Sequence, residues 1–317
     1  MVKRVSIGMG IMHFPFSSAR SFWRWVDLCE EGGIDSLWQS DRLVSEQPYL
    51  ECISAMAAVA GRTRKLKFGM NVVCLAQRDP VLVAKQCATI DMLSEGRLLP
   101  AFGVGSERAP EWDAMGLGRD NLSARTDEAL EVIHRLWTGD RVDFDGKYYQ
   151  LSKATISPKP AQKELPAWIG GPSMAAIRRT ARFGTGWLAG AEAPCVAGPI
   201  VARVREAAKA AGRVIDEDHY GAGFPFRFGS VDDIPELPVW MADYWSYRGL
   251  DPMIYYAIGD AATIVERIAE YVRVGIYKFI LRPLSRDDDD FLLQTRRLIE
   301  EVLPMVAARW PKSGNWS

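Results

Sequence analysis

Short apolar runs and amphipathic stretches alternate along nearly the whole chain. The runs have the length of buried strands, and the stretches between them repeat apolar residues at helical spacing. In one such stretch Phe22, Trp25, Val26 and Cys29 share a face, and two glycines then end the predicted helix. The predicted strands span residues 4–11, 34–39, 66–74, 98–104, 166–170, 186–189, 220–228 and 276–281.

Eight strands that are each followed by a helix predict a single (β/α)8 barrel, and a doubly wound open sheet is the alternative because the same alternation serves both. Two segments interrupt the repeat. Residues 140–160 predict a hairpin after the fourth helix, and residues 230–259, rich in Trp, Tyr and Pro, are interpreted as a lid after the seventh strand. The sequence has no linker or internal repeat, so we expect one domain over residues 1–317.

Composition narrows the function classes. The chain is 48% hydrophobic and has a net charge of −1, which is typical of a globular protein and gives no basic field for nucleic acid. No apolar run reaches the length of a membrane span, and the N-terminus enters the first predicted strand without a signal peptide. The five cysteines are odd in number and lack CxxC spacing, which favours reduced thiols and a cytoplasmic location.

Polar side chains follow several of the predicted strands, where the active site of a barrel lies. His13 follows the first strand and can exchange a proton near neutral pH. Asp41 and Arg42 follow the second strand and either face a substrate or pair with each other to fix the loop. Glu107 follows the fourth strand and is either an acid or a solvated loop carboxylate. These four residues are the catalytic candidates.

Other features concern a bound cofactor. Asn71 lies within the third strand, where its residue type is unusual, and predicts a bulge or an unusual peptide that moves the main chain towards the pocket. Gly103 and Gly105 begin a dinucleotide-like loop, but Arg108 stands at the third glycine position, which excludes tight Rossmann-type NAD binding. Small residues there still let a planar ligand approach the backbone.

The stretch "WIGGPSMAAI" runs from the fifth strand through two glycines into a helix. Such a turn is either an ordinary connection or a phosphate site, because the first N–H groups of a helix lack internal partners.

Other reaction schemes have little support. The chain has three histidines with no HxH or HExxH spacing, so we expect no metal site, and it lacks a GxSxG elbow. Lys278 on the last strand leaves open a barrel aldolase that acts through an imine.

Four segments together, at residues 66–105, 111–139, 142–188 and 259–282, resemble the bacterial luciferase-like family of flavin- and deazaflavin-dependent oxidoreductases in order and spacing. The motifs include "LKFGMNVVCLAQRDP", "ARTDEALEVIHRLWTG" and "LPAWIGGPSMAAIRRTARFG". The resemblance implies a (β/α)8 barrel that binds FMN or the deazaflavin F420 at its carboxyl-terminal mouth.

The resemblance also assigns residues to the cofactor. The turn of Gly170, Gly171, Ser173 and Met174 resembles the family's phosphate-binding turn, and Arg125 matches an arginine that can reach the same phosphate. Asn71 and Val72 fall where the family often has a non-prolyl cis peptide under the ring. Gly103 and Ser106 complete the predicted cofactor site.

The resemblance leaves the cofactor open. With FMN, reduced flavin from a separate reductase would react with O2 and oxygenate a small organic substrate; with F420, hydride would pass to or from that substrate. Many F420-using relatives carry Asp-His where this chain has Asp41-Arg42, and the Asn-rich motif of the sulfonate- and chelate-type FMN monooxygenases is absent. A non-catalytic flavin-binding protein is the alternative, and the family analogy also suggests a homodimer.

Overall fold

The computed structural model describes residues 4–233 and 251–311. All eight predicted strands are present, and they form a closed parallel barrel in which the last strand pairs with the first. The barrel strands are β1 (Ser6–Ile11), β2 (Ser36–Gln39), β3 (Lys67–Cys74), β4 (Leu98–Gly103), β7 (Trp168–Gly170), β8 (Gly186–Leu188), β9 (Tyr220–Phe228) and β11 (Lys278–Pro283). The alternative of an open sheet is therefore wrong.

Helices cover the outside of the barrel, and their buried faces follow the sequence pattern. The first helix buries the predicted set of Phe22, Trp25, Val26 and Cys29. The helices are α1 (Ala19–Glu31), α2 (Cys52–Arg62), α3 (Pro80–Leu93), α4 (Glu111–Ala114), α5 (Leu122–Thr138), α6 (Met174–Phe183), α7 (Pro194–Ala210), α8 (Ala261–Arg273), α9 (Asp288–Arg297) and α10 (Leu303–Arg309).

Both interruptions of the repeat lie where the sequence places them. The first contains the antiparallel hairpin of β5 (Val142–Asp145) and β6 (Gln150–Ala154). In the second, β10 (Ala257–Gly259) pairs in parallel with the end of β9. Residues 234–250, the centre of the predicted lid, lie outside the described residues.

Two tryptophans fill the barrel interior beneath its mouth. Trp38 and Trp168 pack edge to face with ring centroids 6.3 Å apart. Glycines make room for them: a Cβ at Gly69 would lie 2.7 Å from the Trp38 ring, and one at Gly186 would lie 2.6 Å from the Trp168 ring. The interior is therefore a packed core, and open space remains only above it.

The sequence pattern predicts that the last helix spans Phe291–Leu303 and ends at Pro304, and this prediction is wrong. The helix α9 continues through a π-helical turn, Leu298–Val302, into α10, and Pro304 lies in the first turn of α10. At that position the missing N–H of proline needs no partner, so the chain can remain helical.

Candidate active site at the barrel mouth

A cavity of about 450 Å3 lies at the carboxyl ends of the barrel strands. Its size is that of a typical small-molecule site. The side chains around it come from nearly every barrel strand and from the first turns of α6. The lining residues are Met12, Ser40, Asn71, Val72, Gly103, Val104, Gly105, Gly170, Gly171, Pro172, Ser173, Ala176, Arg179, Leu188, Ala189, Gly190, Ala191, Pro225, Tyr255 and Arg282.

The Asn71–Val72 peptide forms part of the cavity wall and is cis, as the resemblance implied. The pairing of β3 with β4 slips between Met70 and Val73, so the predicted bulge is present. The side chain of Val72 lies against two glycines. A Cβ at Gly103 would come 2.6 Å from Val72 Cγ2, and one at Gly170 would come 2.7 Å from Val72 Cγ1. The irregular backbone of β3 therefore depends on glycine in two neighbouring strands.

The glycine turn after β7 opens directly into the cavity. Gly171 has φ +107°, a left-handed conformation that strongly favours glycine. Ser173 then caps α6, since its hydroxyl accepts a hydrogen bond from the Ala176 N–H at 3.1 Å. The preceding amides of the first turn have no intrahelical partner, and a helix N-terminus attracts anions. Gly170, Gly171 and Ser173 line the cavity, whereas the Met174 side chain is 53% exposed.

Arg179 is a cavity residue that the sequence reasoning missed. It lies in the second turn of α6, is 3% exposed, and its Nε donates to Asp127 at 2.5 Å. Its Nη2 donates to Ser123, also on α5. The available signal was helical spacing, because Arg179 follows Ala176 by three residues on the buried face. A fixed guanidinium thus lies beside the glycine turn.

Arg125 is held away from the cavity wall. Its guanidinium donates to the carbonyl of Gly118 at 3.0 Å and to that of Ala76 at 2.9 Å. These bonds link the start of α5 to the segment after β3. The predicted role of Arg125 at a phosphate remains a prediction.

Asp41 and Arg42 do not pair with each other, contrary to the alternative of a local ion pair. The Asp41 carboxylate, 2% exposed, binds the Arg78 guanidinium at 2.5 and 2.7 Å and accepts the Cys74 N–H. Asp41 lies with Glu51 and Cys52 in a group whose ligand atoms are within 4.8 Å of one another, but Arg78 also binds Glu51 at 3.0 Å. A guanidinium thus already binds both carboxylates of this group.

Arg42 is paired with Glu111 across the rim, at 3.3 Å. Burial opposes ionisation of Glu111, but backbone N–H donors and Arg42 outweigh it and lower its pKa. Because the Arg42 side chain is 40% exposed, one side of it remains open to solvent above the cavity.

The other catalytic candidates lie on the rim. The catalytic candidates His13 and Glu107 and the cofactor candidate Ser106 are exposed and do not belong to the cavity wall, although Met12, the neighbour of His13, does. Desolvation by the surrounding loop lowers the pKa of His13. The lowered pKa of His13 favours the neutral form of the ring.

Lys278 lies at the opposite end of the barrel. It begins β11 and forms a buried ion pair with Asp35, which precedes β2. Burial opposes ionisation of Asp35, but Lys278, Lys67 and Arg4 outweigh it and hold its pKa at about 2. A lysine bound to a carboxylate far from the mouth gives no support to the aldolase alternative.

Catalytic groups of closed (β/α)8 barrels gather at the mouth, and here the mouth combines a cavity, a glycine turn at a helix N-terminus and a fixed guanidinium. These features are those of a barrel enzyme with a small-molecule site at its mouth. The chain belongs to the luciferase-like monooxygenase family, whose model matches residues 7–233. This is a family of FMN- or F420-dependent oxidoreductases, so the resemblance, the fold and the enzyme class inferred from the sequence are confirmed.

Related sequences include the F420-dependent glucose-6-phosphate dehydrogenases of Amycolatopsis mediterranei and Nocardia farcinica. The first is 33% identical, with 88% of this chain and 92% of that protein covered. The second is 30% identical, with 84% and 88% covered. An uncharacterized protein of Mycobacterium tuberculosis is 34% identical, but the match spans only 57% of its length and 53% of this chain.

Solved structures share the fold. An F420-dependent secondary alcohol dehydrogenase in complex with an F420-acetone adduct superposes with a TM-score of 0.81 at 20% identity, covering 96% of this chain and 99% of that one. The oxygenating constituent of 3,6-diketocamphane monooxygenase from Pseudomonas putida, in complex with FMN, gives 0.76 at 18% identity, covering 95% and 98%. Within residues 4–233 and 251–311, none of the helices is both long and apolar enough to cross a membrane.

Proposed function

We propose that the protein is an F420-dependent oxidoreductase that transfers hydride to or from a small organic substrate at the barrel mouth. The observation that carries the proposal is the packing of Val72: its side chain forms part of the cavity wall, and glycines in β4 and β7 leave the space that this side chain needs. A flat ring can rest on such a wall, while the turn after β7 receives a phosphate on the same side of the mouth.

The residues present fit a phosphate-bearing cofactor. Gly170, Gly171, Ser173 and the amide of Met174 would hold the phosphate with Arg179, and Arg125 is the further candidate from the sequence. Asn71, Val72 and Gly103 would support the ring, and Ser106, which lies outside the cavity wall, is a further candidate from the sequence. When bound, F420 supplies the hydride chemistry, and the protein supplies orientation and exclusion of water.

The rim residues would act on the substrate side. We assign proton exchange to His13 and substrate contact to Arg42 and Glu107. Asp41 would act through Arg78 and the Cys74 amide as a positioning residue for the end of β3. These roles need side chains that face open space beside the ring. An enzyme needs such a space for its substrate, whereas a non-catalytic flavin-binding protein does not.

Sequence similarity favours F420. The relatives matched over most of their length at 30–33% identity are named as F420-dependent dehydrogenases, whereas the FMN-bound structure is matched at 18%. One observation favours FMN instead: Arg42 stands where many F420-using relatives carry histidine. The second candidate is therefore an FMN-dependent monooxygenase supplied with reduced flavin by a separate reductase.

The deciding experiment is a titration of the purified apo-protein with F420 and with FMN, each in both redox states, followed by absorbance and fluorescence. We expect saturable binding of F420 that is at least about tenfold tighter than that of FMN. Tighter binding of reduced FMN would support the monooxygenase candidate. If neither cofactor binds, the proposal is wrong.

Two further expectations accompany the proposal. A homodimer would bury the exposed apolar face of α3, where Leu82 is 57% and Leu93 is 76% exposed. A cytoplasmic location agrees with the five cysteines, all of which are free thiols. Light scattering of the wild type and of Leu93→Asp tests the dimer, since a charge on that face should yield monomers.

A further inference from the structure

Arg282 extends over the barrel interior from the end of β11. It is the next inward position after Ile280, which packs with Trp38 and Trp168 in the interior core. Two glycines leave space for its guanidinium. A Cβ at Gly10 would lie 3.7 Å from Arg282 Nε, and one at Gly223 would lie 3.3 Å from Nη1. The chain therefore places a cation above its core and within the cavity wall.

This cation lacks a carboxylate partner within the part of the chain that the structure describes. Its Nε is buried without a hydrogen-bond acceptor, and its Nη1 reaches only the Tyr255 hydroxyl at 3.4 Å. By contrast, Arg179 in the same wall is bound to Asp127 at 2.5 Å. No Asp or Glu among the described residues lines the cavity. Among the residues that the structure describes, no carboxylate neutralises Arg282, so its charge and donors can serve a ligand.

The glycine turn after β7, the candidate phosphate site, lies too far around the barrel to explain an unneutralised Arg282. That turn follows β7, and β8 and β9 separate β7 from β11 around the barrel. Arg282 instead lies beside Tyr255, and the positive charge of Arg282 opposes the rise in the pKa of Tyr255 that burial causes. The same charge also reaches Tyr49 on the rim. The guanidinium therefore faces the side of the mouth where a substrate would lie.

We propose that Arg282 binds an oxyanion of the substrate, either a carboxylate or a phosphate, and so selects small organic acids or phosphate esters. A guanidinium offers two parallel N–H donors to such a group, and an unpaired, partly buried one gains most from it. Met12, Pro225 and Tyr255 provide the apolar surface for the rest of the molecule. This inference rests on the proposed function, because it needs the cofactor to occupy the opposite side of the mouth.

The test uses benzoate, its neutral counterpart benzamide, and inorganic phosphate as probes of the cofactor-loaded protein, with calorimetry and the absorbance of bound cofactor as readouts. The variants are Arg282→Gln and Arg282→Lys. Arg286→Gln is the matched control, because Arg286 lies four residues further along the same segment, is 61% exposed and is not part of the cavity wall. Thermal unfolding confirms that each variant is folded.

We expect benzoate or phosphate to bind the wild type saturably. The affinity should be about tenfold or more lower in Arg282→Gln, intermediate in Arg282→Lys and unchanged in Arg286→Gln. Benzoate alone would point to a carboxylic acid, and phosphate alone to a phosphate ester. Equal anion affinity in wild type and Arg282→Gln, equal affinity for benzoate and benzamide, or a tenfold loss of cofactor affinity in Arg282→Gln would overturn the inference. Failure to bind either cofactor would overturn the proposed function instead.

Discussion

Val72 occupies the space in which a side chain at position 170 would begin: a Cβ on Gly170 would lie 2.7 Å from Val72 Cγ1. Gly170→Ala must therefore displace the Val72 side chain, which forms part of the cavity wall. We expect this variant to bind the preferred cofactor about tenfold or more weakly, while its fold persists, because the three atoms nearest to the added methyl group all belong to the Val72 side chain. Cofactor titration measures the effect.

Gly61→Ala is the control for this variant. Gly61 lies on the exposed face of α2 with nothing within 4 Å of an added Cβ. Alanine there should leave cofactor affinity unchanged and raise stability slightly, since glycine is a poor helix former. Equal affinities of Gly170→Ala and wild type would show that the cofactor does not lie against Val72.

A second prediction distinguishes the roles of Arg179 and Arg125 in binding a phosphate at the glycine turn after β7. Arg179→Ala and Arg125→Ala are compared for FMN against riboflavin, and for F420 against its phosphate-free deazaflavin. We expect Arg179→Ala to lose about 1.5–3 kcal/mol of affinity for the phosphate-bearing forms only, because a charge-assisted hydrogen bond disappears. The same selective loss in Arg125→Ala would support its predicted role as well, and its Gly118 and Ala76 bonds would then have to be exchanged.

If Arg179→Ala weakens riboflavin and FMN equally, Arg179 acts through the position of α6 and not on the phosphate. Arg179→Lys provides a check, since it keeps the charge but loses the two-sided contact with Asp127 and Ser123.

Asp41 gives a prediction about stability. Asp41→Ala leaves the Arg78 guanidinium, 11% exposed, without its main partner, and breaking a buried pair in this way costs about 3–5 kcal/mol. Chemical unfolding measures the free energy. Asp113→Ala is the control: Asp113 is 80% exposed in its pair with Arg119, so its loss should cost at most about 1 kcal/mol. Similar losses in both variants would contradict a buried role for Asp41.

The Asp35–Lys278 pair predicts a loss of stability in acid. The folded-state pKa of Asp35, about 2, lies below its usual value of 3.8, so the folded protein holds the carboxylate charged. The corresponding stabilisation, about 2 kcal/mol, is present above pH 4–5 and disappears as the pH falls towards 2. Unfolding of wild type and Asp35→Asn should therefore differ at pH 7 and converge in acid. A constant difference across this range would contradict the prediction.

His13 should titrate below its usual value of 6.5, because desolvation disfavours its charged form. NMR titration measures this pKa directly. If His13 exchanges the proton of the reaction, His13→Asn lowers turnover by about 100-fold or more and leaves cofactor affinity unchanged. Unchanged turnover would remove His13 from the reaction, and a parallel loss of cofactor affinity would assign it to the ring.

Much of the fold follows from the sequence because burial repeats with secondary-structure periodicity. The helical spacing of Ala129, Leu130, Ile133 and Trp137 predicts one buried face, and all four are buried in α5. Errors arise where two local rules compete. A proline in the interior of a helix ends it, whereas a proline in the first turn is favourable, and Pro304 lies in a first turn. Strand ends differ by one or two residues, since pairing with neighbours sets them.

The glycine turn and Asn71 were also visible in the sequence, because residue types that need special backbone conformations stand out within strands. The partners of charged residues were not. Asp41 binds Arg78 and not the adjacent Arg42, and Arg179 and Arg282 enter the cavity although neither stood out in the sequence. Such contacts join residues that are far apart in the chain.

The sequence by itself thus determined the number and order of the barrel strands, and it marked the glycine turn after the fifth predicted strand as a candidate phosphate site. Only the tertiary structure decided which cations are neutralised and which remain open to a ligand: Arg179 is bound to Asp127, whereas Arg282 has no carboxylate partner among the described residues. The physical reason is the distance along the chain over which each kind of interaction acts. Periodicity and backbone preference act over a few residues, whereas an ion pair depends on the closure of the barrel, which brings distant strands and helices together.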